Sequence, residues 1–275
     1  MGVKRGKSQR KKVGLALGSS VARGLAHIGV LEVLEREGIP IDMVSGTSMG
    51  AIIGAAYASN KRACQIKEFA LDLGWKKMVP LLDLTVPKTG FVGGRRIQKR
   101  LKEIIGEAYF ADLAQPFACV TTDIVTGEEV VFRNGLVLDA VIASISLPII
   151  FRATKWRRRY LVDGTLVTPV PVKVLKEMGS DFVISVNVLH HPAENPPLHP
   201  EDVKEIKEPN ISDIMIQTVN ILASHLVKSS LSSSDIIIEP NMADIGLADF
   251  HKVEECIRRG ELAAQDSISE IKRYL

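Results

Sequence analysis

The residues best suited to chemistry gather around one serine. Gly46-Thr47-Ser48-Met49-Gly50 sets Ser48 between two glycines, directly after the apolar run IPIDMVSG and directly before AIIGAAYA. A serine on a tight strand-to-helix turn needs small neighbours to relieve crowding. There its hydroxyl stands above a sheet, and the helix N-terminus behind it favours developing negative charge. Attack on an acyl carbon is the chemistry this suits. That reaction also needs donors for the oxyanion, and backbone N–H groups at a small-residue turn entering a helix provide them. LGSSVARG, residues 17–24, is such a turn. It makes a poor dinucleotide fingerprint, because Ser20 replaces the middle glycine and Asp42 lies at the start of the second strand instead of its end.

The base is less evident. His27 falls in the first helix, His190, His191 and His199 in a proline-rich stretch, His225 in a later helix, and His251 after the last strand. A triad in the chain order of the α/β-hydrolases leaves His190, His191 and His251. Against them stands Asp163 in RYLVDGTLVTPVPV, a lone carboxylate ending an apolar strand and followed by a glycine that lets the backbone approach another loop. Asp-Gly is equally a plain turn former. The residues alone leave these alternatives open.

The elements that must position such a site follow from periodicity. VGLALGSS reads as a buried strand and VARGLAHIGVLEVLEREG as a helix closed by Gly38; IPIDMVSG and the segment after Ser48 repeat the pattern. Strand, helix, strand, helix is the pattern of a parallel sheet with crossovers. Further strands are expected at 117–124, 128–135, 158–164, 181–188 and 235–240. Helices are expected at 61–72, 94–105, 136–145, 170–178, 211–230 and 249–273. The helix at 211–230 carries one apolar stripe through Ile211, Ile214, Met215, Thr218, Val219, Leu222 and Leu226, read as packing on the sheet. The fold class is α/β, one domain spanning 13–275.

Composition narrows the rest. With 46% apolar and 24% charged residues the chain has the make-up of a soluble globular protein. Six cations among residues 1–12 account for the net charge of +3, since the remaining 29 basic residues face 32 acidic ones. This argues against a nucleic-acid partner. Residues 1–12 read as a disordered basic tail able to touch anionic lipid. No apolar window approaches a membrane span, and no secretory signal is visible, so a cytoplasmic protein is expected, with peripheral contact at the inner membrane surface as an option. Cys64, Cys119 and Cys256 lack any metal-knuckle or disulfide spacing and read as buried thiols. Residues 190–210, with five prolines, read as a long surface loop.

Taken together, LALGSSVARGLAHIGVLEVLE, SGTSMGAIIGAAYA, SISLPIIF and LVDGTLVTPVPV resemble the patatin-like phospholipase family, and within it the small bacterial branch related to neuropathy target esterase. The tail SSSDIIIEPNMADIGLADFHKVEECIRRGELAA is similar to that branch too, so the resemblance covers nearly all of the chain after residue 12. It implies a mostly parallel central sheet sandwiched by helices and a serine-aspartate dyad in place of a triad. Carried over, Ser48 is the nucleophile and Asp163 the base. Main-chain N–H groups of Ser19, Ser20 and Val21, helped by that of Met49, form the oxyanion hole, and Gly18, Arg23, Gly24, Gly46, Gly50 and Gly164 support these motifs. No metal or organic cofactor is implied.

The resemblance further implies hydrolysis of fatty-acyl esters of phospholipids or lysophospholipids through an acyl-enzyme. Two departures bear on this. Ser19-Ser20-Val21 replaces a run of glycines, and Thr165 replaces the small residue after Asp-Gly, where it could crowd the dyad or reorient the carboxylate. Both leave open a non-catalytic lipid-sensing or regulatory protein on the same scaffold, and transfer of the acyl group to an acceptor other than water is a third reading. Arg23 is read as orienting its loop, or as meeting a lipid phosphate. The cationic helix FVGGRRIQKRLKEIIG and the arginines of WRRRY either face lipid or are simply exposed.

Overall fold

The computed structural model describes residues 10–82, 95–148, 150–189 and 211–275. The expectations for residues 1–9 and for the proline-rich stretch 190–210, with His190, His191 and His199, lie outside the described residues. VGLAL forms β1 (Val13–Leu17), buried at all five positions because helices cover both faces. Alternation divides it: Val13, Leu15 and Leu17 join the larger core cluster, while Ala16 joins a smaller one on the opposite face. The same division runs through β2 (Met43–Thr47) and β7 (Phe182–Val186).

β1 pairs in parallel with β2 and β7, β2 with β3 (Phe117–Asp123), and β7 with β8 (Ile236–Ile238). Two short strands run against this set, β4 (Glu129–Phe132) and β6 (Arg159–Asp163), both antiparallel to β3; β5 (Thr154–Trp156) pairs antiparallel with β6 and so runs in the direction of the parallel strands. The sheet is therefore mostly parallel. The larger core lies under α1 (Ala26–Arg36), α2 (Met49–Ala58), α3 (Ala63–Leu82), α4 (Arg95–Ile105), α5 (Val137–Ser144) and α8 (Val253–Tyr274). α6 (Val172–Glu177) and the end of α7 (Ile211–Ser230) cover the other face through Val172, Leu175, Val227 and Leu231.

Two glycines set the closest helix crossing. A Cβ on Gly29 of α1 would fall 1.9 Å from the Ile257 carbonyl oxygen of α8, and one on Gly260 would fall 2.0 Å from that of Ala26. Residues 10–12 are tied to the body: the Arg10 guanidinium donates to Asp42 at 2.9 Å, Lys11 Nζ to the Tyr274 carbonyl at 2.7 Å, and the Lys12 N–H to Asp181 at 2.8 Å. The backbone interlock of α1 and α8 leaves no soft side chain to yield. Gly29→Ala is expected to destabilise the fold by about 2–3 kcal/mol in urea unfolding, whereas Gly38→Ala, with open space around it but a φ of +67°, loses less.

Candidate active site

The register of β3 brings the two key residues together. β2 pairs along Phe117–Val120 and β6 along Thr121–Asp123, while β4 pairs along Cys119–Thr122. Because β4 overlaps both, it occupies one edge of β3, and β2 and β6 follow one another along the other edge. Thr47, opposite Val120, thus ends where Asp163, opposite Thr121, begins. Ser48 is the next residue. Its Oγ donates to Asp163 Oδ2 at 2.7 Å.

Ser48 has φ +55° and ψ −120°, a conformation that costs a non-glycine residue about 1–3 kcal/mol. The neighbours over-determine it. A Cβ on Gly46 would lie 2.4 Å from the Gly50 carbonyl oxygen, and one on Gly50 would lie 2.2 Å from that of Leu17. Only glycines let α2 fold back so tightly on β1 and β2. The turn is also pinned from α5: Ser144 Oγ accepts the Ser48 N–H at 2.9 Å and donates to the Val120 carbonyl at 2.7 Å. Sequence reasoning missed Ser144, whose only signal was its place in SISLPIIF.

Asp163 is 2% exposed. Burial pushes its carboxyl above the usual carboxylate range, opposed by hydrogen bonds from Thr165 and Ser48 to the ionised form. Thr165 contributes twice, its N–H donating to Asp163 Oδ1 at 2.9 Å and its hydroxyl to the same oxygen at 2.6 Å. The carboxylate is thereby fixed with Oδ2 toward Ser48. Thr165 orients the Asp163 carboxylate and does not crowd it. Gly164 between them lies so close to β3 that a Cβ would fall 2.4 Å from the Val120 carbonyl oxygen.

The turn at residues 18–21 requires one correction. The Ser19 N–H donates to the Pro169 carbonyl at 2.7 Å, so it is spent and cannot serve the oxyanion as expected. Among the described residues no backbone carbonyl takes the N–H of Ser20, Val21 or Met49, and all three residues line the cavity that holds Ser48. His27, placed in the first helix from the sequence but given no role there, holds the turn from beneath. Its Nε2 lies 2.7 Å from the Gly18 carbonyl, and burial lowers its pKa to about 4, so the neutral ring donates that bond. Arg23, also buried, donates from Nε to the Ile245 carbonyl at 2.6 Å; Ala22 donates to that of Leu247 at 2.9 Å. Arg23 thus ties the turn to residues 245–248, and Gly24 backs onto Met49.

Ser48 and Asp163 open into a cavity of about 120 Å³ walled by Ile52, Ile145, Leu147, Phe151, Leu189 and Val219, among others. Among the described residues no histidine meets Ser48 or Asp163: His27 holds the Gly18 carbonyl, and His225 and His251 are exposed on α7 and on a turn before α8. The stripe of α7 does not pack on the sheet as a unit, since Val219 is buried whereas Ile211, Ile214 and Leu222 are exposed. In α4 the apolar face is spent inside, with Leu101, Ile104 and Ile105 buried in the core, so it is not free to lie on a bilayer. Trp156 and Tyr160 lie on the β5–β6 hairpin, where Arg159 pairs with Asp123 and Glu128 and Arg157 stacks over Trp156. Among the described residues no cluster of three histidine, cysteine or acidic side chains could hold a metal, and no helix is long and apolar enough to cross a membrane. Cys119 and Cys256 are buried, Cys64 half-buried, and all three are free thiols.

A strained serine after a central strand, facing a buried carboxylate across a parallel α/β sheet, defines a class of fold before any relative is considered. Residues 15–176 match the model for patatin-like phospholipases, and the chain belongs to that family. It is 33% identical over 181 residues to an uncharacterized NTE family protein of Mycobacterium tuberculosis, covering 66% of this chain and 50% of that one. A second such protein of that organism is 28% identical over 276 residues, covering 94% and 46%. The lysophospholipase NTE1 of Debaryomyces hansenii is 26% identical over 279 residues, covering 94% and 18%. The chain spans about half the length, or less, of these curated relatives. VipD from Legionella pneumophila shares the fold, with a TM-score of 0.53 at 11% identity over 94% of this chain and 67% of that one.

Two substitutions test the positioning described above. Thr165→Val keeps the shape and the N–H but removes the hydroxyl that favours ionised Asp163. The carboxyl pKa then rises, and the acid limb of the kcat–pH profile moves to higher pH with no change on the alkaline side. Ser144→Ala leaves the buried Ser48 N–H without an acceptor, costing about 1–3 kcal/mol of stability, and it is expected to lower kcat by more than it changes KM.

Proposed function

We propose that the protein is a serine acyl hydrolase that cleaves fatty-acyl esters of phospholipids or lysophospholipids through a Ser48–Asp163 dyad and an acyl-enzyme. The observation that carries this reading is the 2.7 Å hydrogen bond from Ser48 Oγ to a buried carboxylate inside an apolar cavity. Family membership and the lysophospholipase activity named for the yeast relative support the substrate class.

Asp163 Oδ2 takes the Ser48 proton as Oγ attacks the ester carbonyl. The new oxyanion is held by the N–H groups of Ser20, Val21 and Met49, close to the positive end of α2. Collapse breaks the ester C–O bond, and the departing alkoxide takes the proton from Asp163. A water then gives its proton to Asp163 and attacks the acyl carbon, releasing the fatty acid as the proton returns to Ser48. A carboxylate in water is too weak a base for this work, and burial raises its pKa toward the working pH. The two departures from the family pattern are compatible with turnover: backbone donors survive any side chain but proline, and the Thr165 hydroxyl holds the base in line.

Fatty-acid release from a lysophospholipid panel by wild type, Ser48→Ala and Asp163→Asn tests the reading. Both variants are expected to fold and to lose about 10³-fold or more of kcat. Asp163→Asn is further expected to melt no lower than wild type, because it removes a buried charge while an amide can keep the bonds to Thr165 and Ser48. Wild-type activity in the Asp163→Asn protein contradicts the dyad. Release that depends on an added alcohol assigns the enzyme to acyl transfer instead.

A further inference from the structure

A second cavity adjoins the one that holds the dyad. It measures about 80 Å³, lies between α2, α3 and α4, and is bordered by Ile53, Ala56, Ile66, Phe69, Ala70 and Leu101. Its one charged neighbour among the described residues, Arg100, donates its guanidinium to Glu103 at 2.7 Å, so the apolar stem borders the space. Met49, Ile52, Ile97 and Phe250 line both cavities and form the wall between them. Met49 follows the nucleophile directly, and Ile52 lies about one helical turn from Ser48, so the wall begins at the reacting group.

Protein interiors keep few voids larger than a water molecule, and an apolar void stays dry. A cavity of this kind gives no stability unless something apolar fills it. Size supplies a second argument. The 80 Å³ of the second cavity adds two thirds to the 120 Å³ of the catalytic one. A short acyl chain is therefore held beside Ser48 by the first cavity alone, and a long one extends past the shared wall into the second.

We infer that the second cavity is the distal half of the acyl-chain site, entered past Met49 and Phe250, and that it selects long-chain fatty-acyl esters. The methionine side chain at the wall is unbranched and flexible, suited to parting around a threading chain. This inference rests on Ser48 being the nucleophile.

The direct test is a sixteen-carbon alkyl fluorophosphonate with a diazirine on its terminal carbon, applied to wild-type protein. Ser48 Oγ bonds to phosphorus, fluoride leaves and the proton passes to Asp163; light then fixes the tail where it lies, and peptide mass spectrometry reads both ends. The expected result is one phosphonyl group on Ser48 and tail adducts on residues 66–70 or 101–104. Labelling at Ser48 with the tail on residues 147–151 or 216–220, or on none of the second cavity's residues, overturns the inference and leaves the nucleophile reading standing. No label at Ser48 overturns both. As an independent measurement, Ala70→Phe fills only the second cavity. The ratio of kcat/KM for sixteen-carbon over eight-carbon lysophospholipid is expected to fall about tenfold or more, and an unchanged ratio counts against the inference.

Discussion

The rest of the structure is arranged around one hydrogen bond, from the Ser48 hydroxyl to Asp163. It needs a serine held in a disfavoured backbone conformation and a carboxylate held in a place where its charge is poorly solvated. Neither would persist alone. The strain at Ser48 is sustained by Gly46 and Gly50, which allow backbone contacts no side chain could tolerate, and by Ser144 from a helix 96 residues away. The charge at Asp163 is sustained by two donors from Thr165 on the oxygen that does not face Ser48. The split use of the two carboxylate oxygens gives the site its direction.

The sheet makes this arrangement possible through an irregularity. A purely parallel sheet would carry β2 past its neighbour with nothing at its end, whereas here β6 takes over the same edge of β3 where β2 stops. The antiparallel β6 is therefore the device that delivers Asp163 to Ser48. On the other side of Ser48, the turn at residues 18–21 is fixed at three points: the Ser19 N–H on Pro169, His27 on the Gly18 carbonyl, and Arg23 on Ile245. The Ser19 N–H and Arg23, both open to a role in chemistry from the sequence, are thereby turned to holding backbone, as is His27. Ser20 and Val21 are left to face the cavity.

Much of this was legible beforehand because its cause is local. The glycines flanking Ser48 and the switch from strand to helix period lie within fourteen residues, residues 45–58, and the strong parallel strands show as short apolar runs. β5 escaped because three residues, Thr-Lys-Trp, carry no period. Whether Thr165 crowds Asp163 or orients it is not readable, since sequence gives the size of a side chain but not the direction of its hydroxyl. The stripes of α4 and α7 were both visible, yet only packing tells that the first is buried and the second largely exposed. Ser144 and His27 act across long separations, which single-chain periodicity does not encode. The same holds for Ser19, whose N–H meets a carbonyl 150 residues on.

The central claim is that a buried aspartate, and not a histidine, activates Ser48. The most direct measurement is the rate of Ser48 phosphonylation by a small fluorophosphonate as a function of pH, followed by intact mass, in wild type and in Asp163→Asn. The account predicts a wild-type rate that climbs through one ionisation, above the ordinary carboxylate range because burial raises that pKa. In the variant the rate should drop by about 10²–10⁴-fold and lose this limb. A variant labelled at the wild-type rate, with the limb intact, would place the base elsewhere and contradict the account.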